Sequence, residues 1–202
     1  MKLYYSKGAC SQVPHIIINE LGLPCQFISV DLQNKKTQTG ENFLNITPKG
    51  AVPALELDNG EVLTENIAIE QYLADSHDAM HLLPPVGSFK RYRVLEWLSF
   101  ASTDLHKGFG PLFNPQVPES QKQEIFIPAL SKRFDYVDQH LSNHEYLIGK
   151  EYTLPDAYVF VLQGWLKAVK IDRTQWKNLA RHYDAIKARP AVQKTLKEEG
   201  LL

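Results

Sequence analysis

Cysteine is scarce in this sequence: Cys10 and Cys25 are the only two. So few cannot build a disulfide scaffold, and unpaired thiols suit a reducing compartment. An excess of either charge is missing too. The 22 Lys and Arg are balanced by 23 Asp and Glu, for a formal net charge of −1, so no basic field points to a nucleic-acid partner. No apolar run approaches the roughly 20 residues that a membrane helix needs. The opening Met1-Lys2-Leu3-Tyr4-Tyr5 runs into polar residues and Gly8 rather than into an apolar signal core, which argues against export. The expectation is a cytoplasmic chain with no membrane and no nucleic acid among its partners.

Several chemical motifs are missing as well. Position 13 is Val, so Cys10 has no C-x-x-C partner, which disfavours a dithiol oxidoreductase and leaves a single-thiol mechanism. H-E-x-x-H, a Walker A loop, G-x-S-x-G and a strand-linked G-x-G-x-x-G do not occur. The pairs His77/His81 and His140/His144 have i,i+4 spacing, but no third ligand is evident and no metal site is expected.

What is present changes character along the 202 residues, of which 44% are hydrophobic, enough for a real core. Residues 2–5 read as a strand and 11–21 as a helix, with Val13, Ile16, Ile17 and Leu21 on one stripe and Pro14 tolerated in the first turn. A second strand covers 26–31, and a short helix is expected near 41–45. Strands at 54–57 and 62–64 flank Asp58-Asn59-Gly60, a hairpin signal, and a helix follows over 66–76. The order is βαβ then ββα, with four strands and three helices. Residues 82–88, with Pro84-Pro85 and Gly87, read as a linker. Helical periodicity then takes over: 89–107, 120–141 with a kink or break expected at Pro128, 153–169, 175–187, and a short helix after Pro190.

Four places carry candidate chemistry. Cys10 lies between a strand and a helix N-terminus, where unpaired amides and the helix dipole favour an anion. Its pKa is therefore expected to fall below the roughly 8.5 of a free thiol; the plainer reading is a small buried hydrophobe. Cys25 reads as packing. Val52-Pro53 precedes a strand, and a cis bond there would turn the Val52 backbone toward an extended peptide-like ligand, whereas a trans bond would make it an ordinary turn. Thr64-Glu65-Asn66 sits at a strand-to-helix junction; amides at Asn66 suit a carboxylate and Glu65 suits an ammonium, so together they suit an α-amino acid head group, unless they only cap the helix. Thr153-Leu154-Pro155-Asp156 reads as a structural capping box. His106, just before Lys107-Gly108, is placed near the end of the first long helix.

The motifs Ser6-Lys7-Gly8-Ala9-Cys10-Ser11, Asn45 through Leu55 with Val52-Pro53, Leu63-Thr64-Glu65-Asn66-x-Ala68-Ile69, and Thr153-Leu154-Pro155-Asp156-Ala157-Tyr158 resemble, in this order, the glutathione transferase signature. Cys10 together with His106 resembles the bacterial beta class. The resemblance implies a thioredoxin-like α/β domain over 1–81, a linker over 82–88 and an all-α domain over 89–202 that contributes the electrophile pocket. It implies a homodimer that takes glutathione as co-substrate without a cofactor. It implies that the Val52 backbone pairs with the cysteinyl part of glutathione, that Glu65 and Asn66 hold its γ-glutamyl head, and that Lys35 reaches in from a loop. Cys10 would lie beside the glutathione sulfur. His106 would be a second group near it, with Ser99, Thr103, Asp104 and Leu105 lining the site, across the dimer interface. Phe109, Phe113 and Trp165 are candidates for the pocket that holds small hydrophobic electrophiles.

Two positions depart from the pattern. Lys7 stands where the family often has Pro, and Ser99 where relatives often have Asn. The activity implied is conjugation of glutathione to electrophiles, with reduction of mixed disulfides or peroxides through Cys10 beside it. The alternatives are a non-catalytic glutathione- or ligand-binding stress protein and a specialised dehalogenase or isomerase on the same scaffold.

Overall fold

The computed structural model describes residues 1–202. They divide into two compact units, Met1–Ala79 with Ala188–Leu202, and Met80–Lys187.

The first unit is built on a mixed sheet. Strand β1 (Lys2–Tyr5) leads into helix α1 (Gln12–Glu20), and β2 (Gln26–Asp31) returns parallel to β1, the pairing expected of a βαβ crossover. A two-residue strand β3 (Lys36–Thr37) then pairs antiparallel with β2. The residues expected to form a helix near 41–45 make a single 3-10 turn, Phe43–Asn45. The hairpin of β4 (Ala54–Glu56) and β5 (Val62–Thr64) follows, in register Leu55 with Leu63, and α2 (Asn66–Ser76) closes the unit. The sheet thus has five strands in the order β3-β2-β1-β4-β5. The edge strand β3 escapes sequence reading because two residues carry no alternation.

Side chains alternate across this sheet. Leu3 and Leu55, paired across β1 and β4, are fully buried on one face. Tyr4, Ile28, Val30 and Ala54 form a cluster on the other with Phe43 and Val52. The chain's last helix, α9 (Pro190–Glu198), belongs to this unit. Its residues were expected with the helical domain, but three polar links draw the tail onto α1. His15, fully buried and stacked on Phe27 at 3.8 Å, contacts Glu198 Oε2 at 2.9 Å and Glu199 Oε1 at 3.0 Å. Gly8 N and Gln12 Nε2 donate to Glu199 Oε2 at 2.9 and 3.1 Å, and Arg189 pairs with Glu20.

The second unit is helical. α3 (Phe89–Phe100) continues without interruption through a π-helical segment, Ala101–His106, into α4 (Lys107–Phe113). The expected end near Lys107 is therefore passed, and Gly108, Gly110 and Pro111 lie inside the run. At Gly108 the reason is packing: a Cβ would come within 2.9 Å of Leu130 Cδ1. The next run joins α5 (Glu119–Gln121), a second π-helical segment (Lys122–Phe126) and α6 (Ile127–Leu141). Pro128 does not end it and stands at the second position of α6. The π-helical segment lies immediately upstream, where proline's missing N–H and its ring disturb the bonding pattern.

Helix α7 (Leu154–Trp165) is buried along nearly its whole length, and α8 (Lys177–Lys187) and α9 (Pro190–Glu198) complete the chain. The capping box at Thr153 is formed. Asp156 does more than cap, however. It accepts from Thr153 N at 2.8 Å and from Leu147 N at 2.8 Å, and meets His182 Nε2 at 2.9 Å, all buried. The segment expected as a linker is packed rather than loose: Leu82, Leu83 and Pro84 are buried, and Arg91 Nη1 donates to Pro84 O. No helix of the chain is long and apolar enough to cross a membrane.

Candidate functional site

In the first unit three separate loops converge. The turn before α1 is closed by Ala9 N donating to Ser6 O at 3.0 Å, with Gly8 at φ +68°, a conformation glycine adopts freely. It presents Cys10, half-buried, just ahead of the helix. The Cys10 thiol donates to Val52 O at 3.3 Å. The Val52–Pro53 bond is cis. Asn66, buried as the first residue of α2, donates from Nδ2 to Cys10 O at 3.1 Å. The structure thus brings Cys10, Val52 and Asn66 into one hydrogen-bonded set. The sequence points to the Asn66 backbone amide; the side-chain tie to Cys10 has no signal in a linear motif.

The electrostatics of Cys10 run against expectation. Burial pushes the thiol up to about 11, and the hydrogen bonds from its own amide, Asn66 and the Ser11 amide only partly offset this, while Glu65 pushes the same way as burial. The desolvation of a thiolate outweighs the helix N-terminus here. Cys10 is consequently a neutral S–H at neutral pH, not the activated thiolate that its position suggests. Lys7 does not help: it is exposed, and its Nζ would lie 3.4 Å from a Cβ on Gly200, on the tail side of the turn.

Glu65 and Lys35 are the unit's other candidates, and both have positive φ, +72° and +54°. Such backbone is sparsely populated by non-glycine residues and is characteristic of ligand clamps. Glu65 Oε1 accepts from Lys49 Nζ at 2.6 Å, and the same Nζ donates to Thr64 Oγ1 at 2.9 Å. Lys49 was not singled out from the sequence. Lys35 Nζ donates to Gly50 O at 2.8 Å, and Gly50 has φ +57°, a conformation that glycine adopts freely. Lys35 therefore sits two residues from Val52 in the chain it touches.

The second unit carries the rest on one helical run. Ser99 and Thr103 are exposed, one turn apart, with Thr103 Oγ1 donating to Ser99 O at 2.8 Å. The Thr103 hydroxyl also lies 2.8 Å from Asp104 Oδ2, and Asp104 Oδ1 is 3.6 Å from Arg133 Nε. Leu105 is fully buried and serves the core. His106 is half-buried; its Nδ1 meets Tyr158 OH at 2.8 Å, and its ring stands edge-on to Trp165 at 4.9 Å. Burial, with a smaller contribution from Lys107, lowers His106 to about 4, so the imidazole is neutral at pH 7.

The three aromatic candidates do meet. Phe109 lies 5.8 Å from Phe113 and 5.4 Å from Trp165, and Phe113 lies 5.6 Å from Trp165. Beside them a cavity of about 220 Å³ is lined by Leu112, Phe113, Ile127 and Val169, with Glu119 and Lys122 among its polar residues. No group of three or more His, Cys, Asp or Glu is arranged to hold a metal ion. The His140 and His144 rings stack at 4.2 Å, and each uses a nitrogen on a backbone carbonyl.

Comparison with known proteins places this geometry in company. The family model described as glutathione S-transferase, N-terminal domain, matches residues 8–76, and that described as glutathione S-transferase, C-terminal domain, matches residues 100–190. Glutathione S-transferase GstA of Escherichia coli O157:H7 is 43% identical over 201 residues, covering 100% of both chains. The crystal structure of a glutathione transferase from Methylococcus capsulatus strain Bath matches with a TM-score of 0.96 at 49% identity, over 100% of this chain and 99% of that one. The bacterial beta-class glutathione S-transferase of Sphingomonas chungbukensis matches with a TM-score of 0.95 at 41% identity over 100% of both.

Proposed function

The chain belongs to the glutathione S-transferase family, with beta-class relatives, and from that premise we propose that it joins glutathione to small apolar electrophiles. The observation that carries this reading is the hydrogen-bonded set of Cys10, Val52 and Asn66, with the strained Glu65 beside it. Glutathione is a co-substrate, and the reaction calls for no separate cofactor. The Val52 backbone pairs with the cysteinyl unit. Glu65 takes the α-ammonium, the amides opening α2 take the α-carboxylate, and Lys35 adds positive charge. Residues 1–81 bind glutathione, 82–88 connect, and the electrophile pocket is built in the helices that follow around Phe109, Phe113 and Trp165.

In this reading Cys10 is a donor rather than a nucleophile. Its S–H, held protonated by burial, turns from the Val52 carbonyl to the sulfur of glutathione and favours that sulfur's thiolate form. Neutral His106, with Ser99, Thr103 and Asp104, lines the site across the interface of a homodimer, while Leu105 packs the core behind them. The glutathione thiol loses its proton to solvent, its electron pair forms the C–S bond, and the leaving group departs with the pair of the broken bond. Reduction of mixed disulfides or peroxides through Cys10 is the slower reaction, because a thiol near 11 offers little thiolate at neutral pH.

The homodimer has support on the surface of α3, where Phe89 is 71% and Tyr92 is 55% exposed, large apolar groups that a subunit interface would cover. A dimer mass by light scattering at micromolar concentration is expected. The two unpaired cysteines suit the reducing cytoplasm. The central test is turnover of glutathione with an aryl halide by wild type and Cys10→Ala. Wild type should conjugate, and Cys10→Ala should keep much of that activity while losing any adduct with oxidised glutathione by intact mass. Binding of glutathione without turnover of any electrophile would leave the carrier reading in its place.

A further inference from the structure

Lys49 has no role in the site just described, yet its side chain occupies the centre of one part of it. The turn over 47–50 is closed by Gly50 N donating to Thr47 O at 3.1 Å, with Gly50 at φ +57°. This turn fixes where the Lys49 side chain starts. From there the chain crosses to the junction of β5 and α2, where its ammonium contacts two acceptors in succession, Thr64 Oγ1 at 2.9 Å and Glu65 Oε1 at 2.6 Å. Both charged side chains are more than half exposed, at 54% and 71%. The pair is therefore weak and exchangeable rather than a buried lock. The Glu65 carboxylate is nevertheless aimed by a backbone at φ +72°, a conformation that a surface ion pair would not require of a glutamate.

We propose that Lys49 is an exchangeable internal counter-ion of Glu65, its ammonium standing where the α-ammonium of glutathione binds, so that it tunes selectivity for ligands that bear that amine. The proposal rests on the assignment of Glu65 to the glutathione head group. The chemistry of the exchange is direct. Two ammonium groups on one carboxylate oxygen repel each other, so an arriving α-ammonium displaces Lys49 from Oε1. The lysine keeps the Thr64 hydroxyl, and its freed charge faces the adjoining α-carboxylate. A ligand without the amine leaves Lys49 on Glu65, and the carboxylate remains compensated. In a protein without Lys49, the same ligand would meet Glu65 without the lysine's counter-charge beside the ligand's own carboxylate. Lys49 and the ligand amine thus substitute for one another, and each matters more when the other is missing.

The test is a binding cycle by titration calorimetry. Its ligands are glutathione and its analogue lacking the α-amino group, N-glutaryl-cysteinylglycine. Its proteins are wild type, Lys49→Met, Glu65→Gln and the double variant. The quantity read is the ratio of the two dissociation constants. Lys49→Met should raise the preference for glutathione over the analogue by about two- to fivefold, the range of an exposed ion pair, with an unchanged thermal midpoint. Glu65→Gln should collapse the preference, and Lys49→Met should then add nothing to it. An unchanged or smaller preference in Lys49→Met overturns the role of Lys49 while leaving Glu65 assigned. A preference untouched by Glu65→Gln overturns the assignment of Glu65 itself. A Lys49 effect that persists in the double variant shows that lysine acts elsewhere, and overturns the proposal.

Discussion

The two units hold their candidate residues by opposite means. In the first, loops far apart in sequence are tied side chain to backbone, Asn66 to Cys10 and Lys35 to Gly50. Two of the candidates there, Lys35 and Glu65, carry positive φ, whereas no candidate of the second unit does. In the second, the candidates ride on one uninterrupted helical run, and what departs from the ordinary is its register, π-helical over Ala101–His106. An inserted residue in a helix shifts the direction of every side chain after it. The loop-built set spends backbone strain to aim its groups, while the helix-built set re-aims them by changing the winding. Yet the outcome at the two titratable centres is alike. Burial leaves Cys10 protonated and His106 deprotonated, so both are neutral at pH 7.

The comparison breaks most visibly if the helical unit loses its anchor. Loss of a helix cap costs about 0.5–2 kcal/mol, which is what the sequence around Thr153 predicts. In the structure Asp156 also serves Leu147 and His182 in a buried setting, and each buried donor left without its acceptor costs about 1–3 kcal/mol more. Asp156→Ala should therefore lower the urea midpoint far beyond a cap loss, with glutathione affinity per folded molecule retained. A cap-sized shift would show that the buried contacts contribute nothing.

A medium effect should separate the two centres by pH. His106 lies near 4 against its ordinary 6.5. Between those values the unfolded chain binds a proton that the folded chain refuses, so stability falls as pH drops through the window and levels below it. Cys10 lies near 11 against its ordinary 9.0. There the folded chain keeps a proton that the unfolded chain releases, so stability falls as pH climbs through that window. In urea titrations His106→Gln should lessen the acid limb alone and Cys10→Ala the alkaline limb alone, to which Cys25, also pushed up to about 11 by burial, contributes as well. An alkaline limb unchanged by Cys10→Ala would mean that the thiol is not held protonated.

The smallest effect concerns Lys7. It is exposed and turned toward Gly200, so Lys7→Ala should change the rate of Cys10 alkylation by less than about twofold, as expected of a screened surface charge. A larger drop in rate would restore the view that Lys7 activates the thiol.

The sequence by itself determined the βαβ–hairpin–helix order of the first unit, the hairpin at Asp58-Asn59-Gly60 and the capping box at Thr153. These depend on turn chemistry, side-chain period and short spacings, which are local and therefore readable in a linear string. Only the tertiary structure decided that Cys10 is a protonated donor, because helix dipole and desolvation oppose each other and the winner depends on what covers the sulfur. Only it decided that Lys49 sits on Glu65, that Tyr158 holds His106, and that the tail from Ala188 packs on α1 through His15 and Glu199. Each of these is a contact between residues that no periodicity relates. The winding at Ala101–His106 belongs with them: helical patterning announces a helix, but a turn that holds one residue more leaves no mark in that pattern.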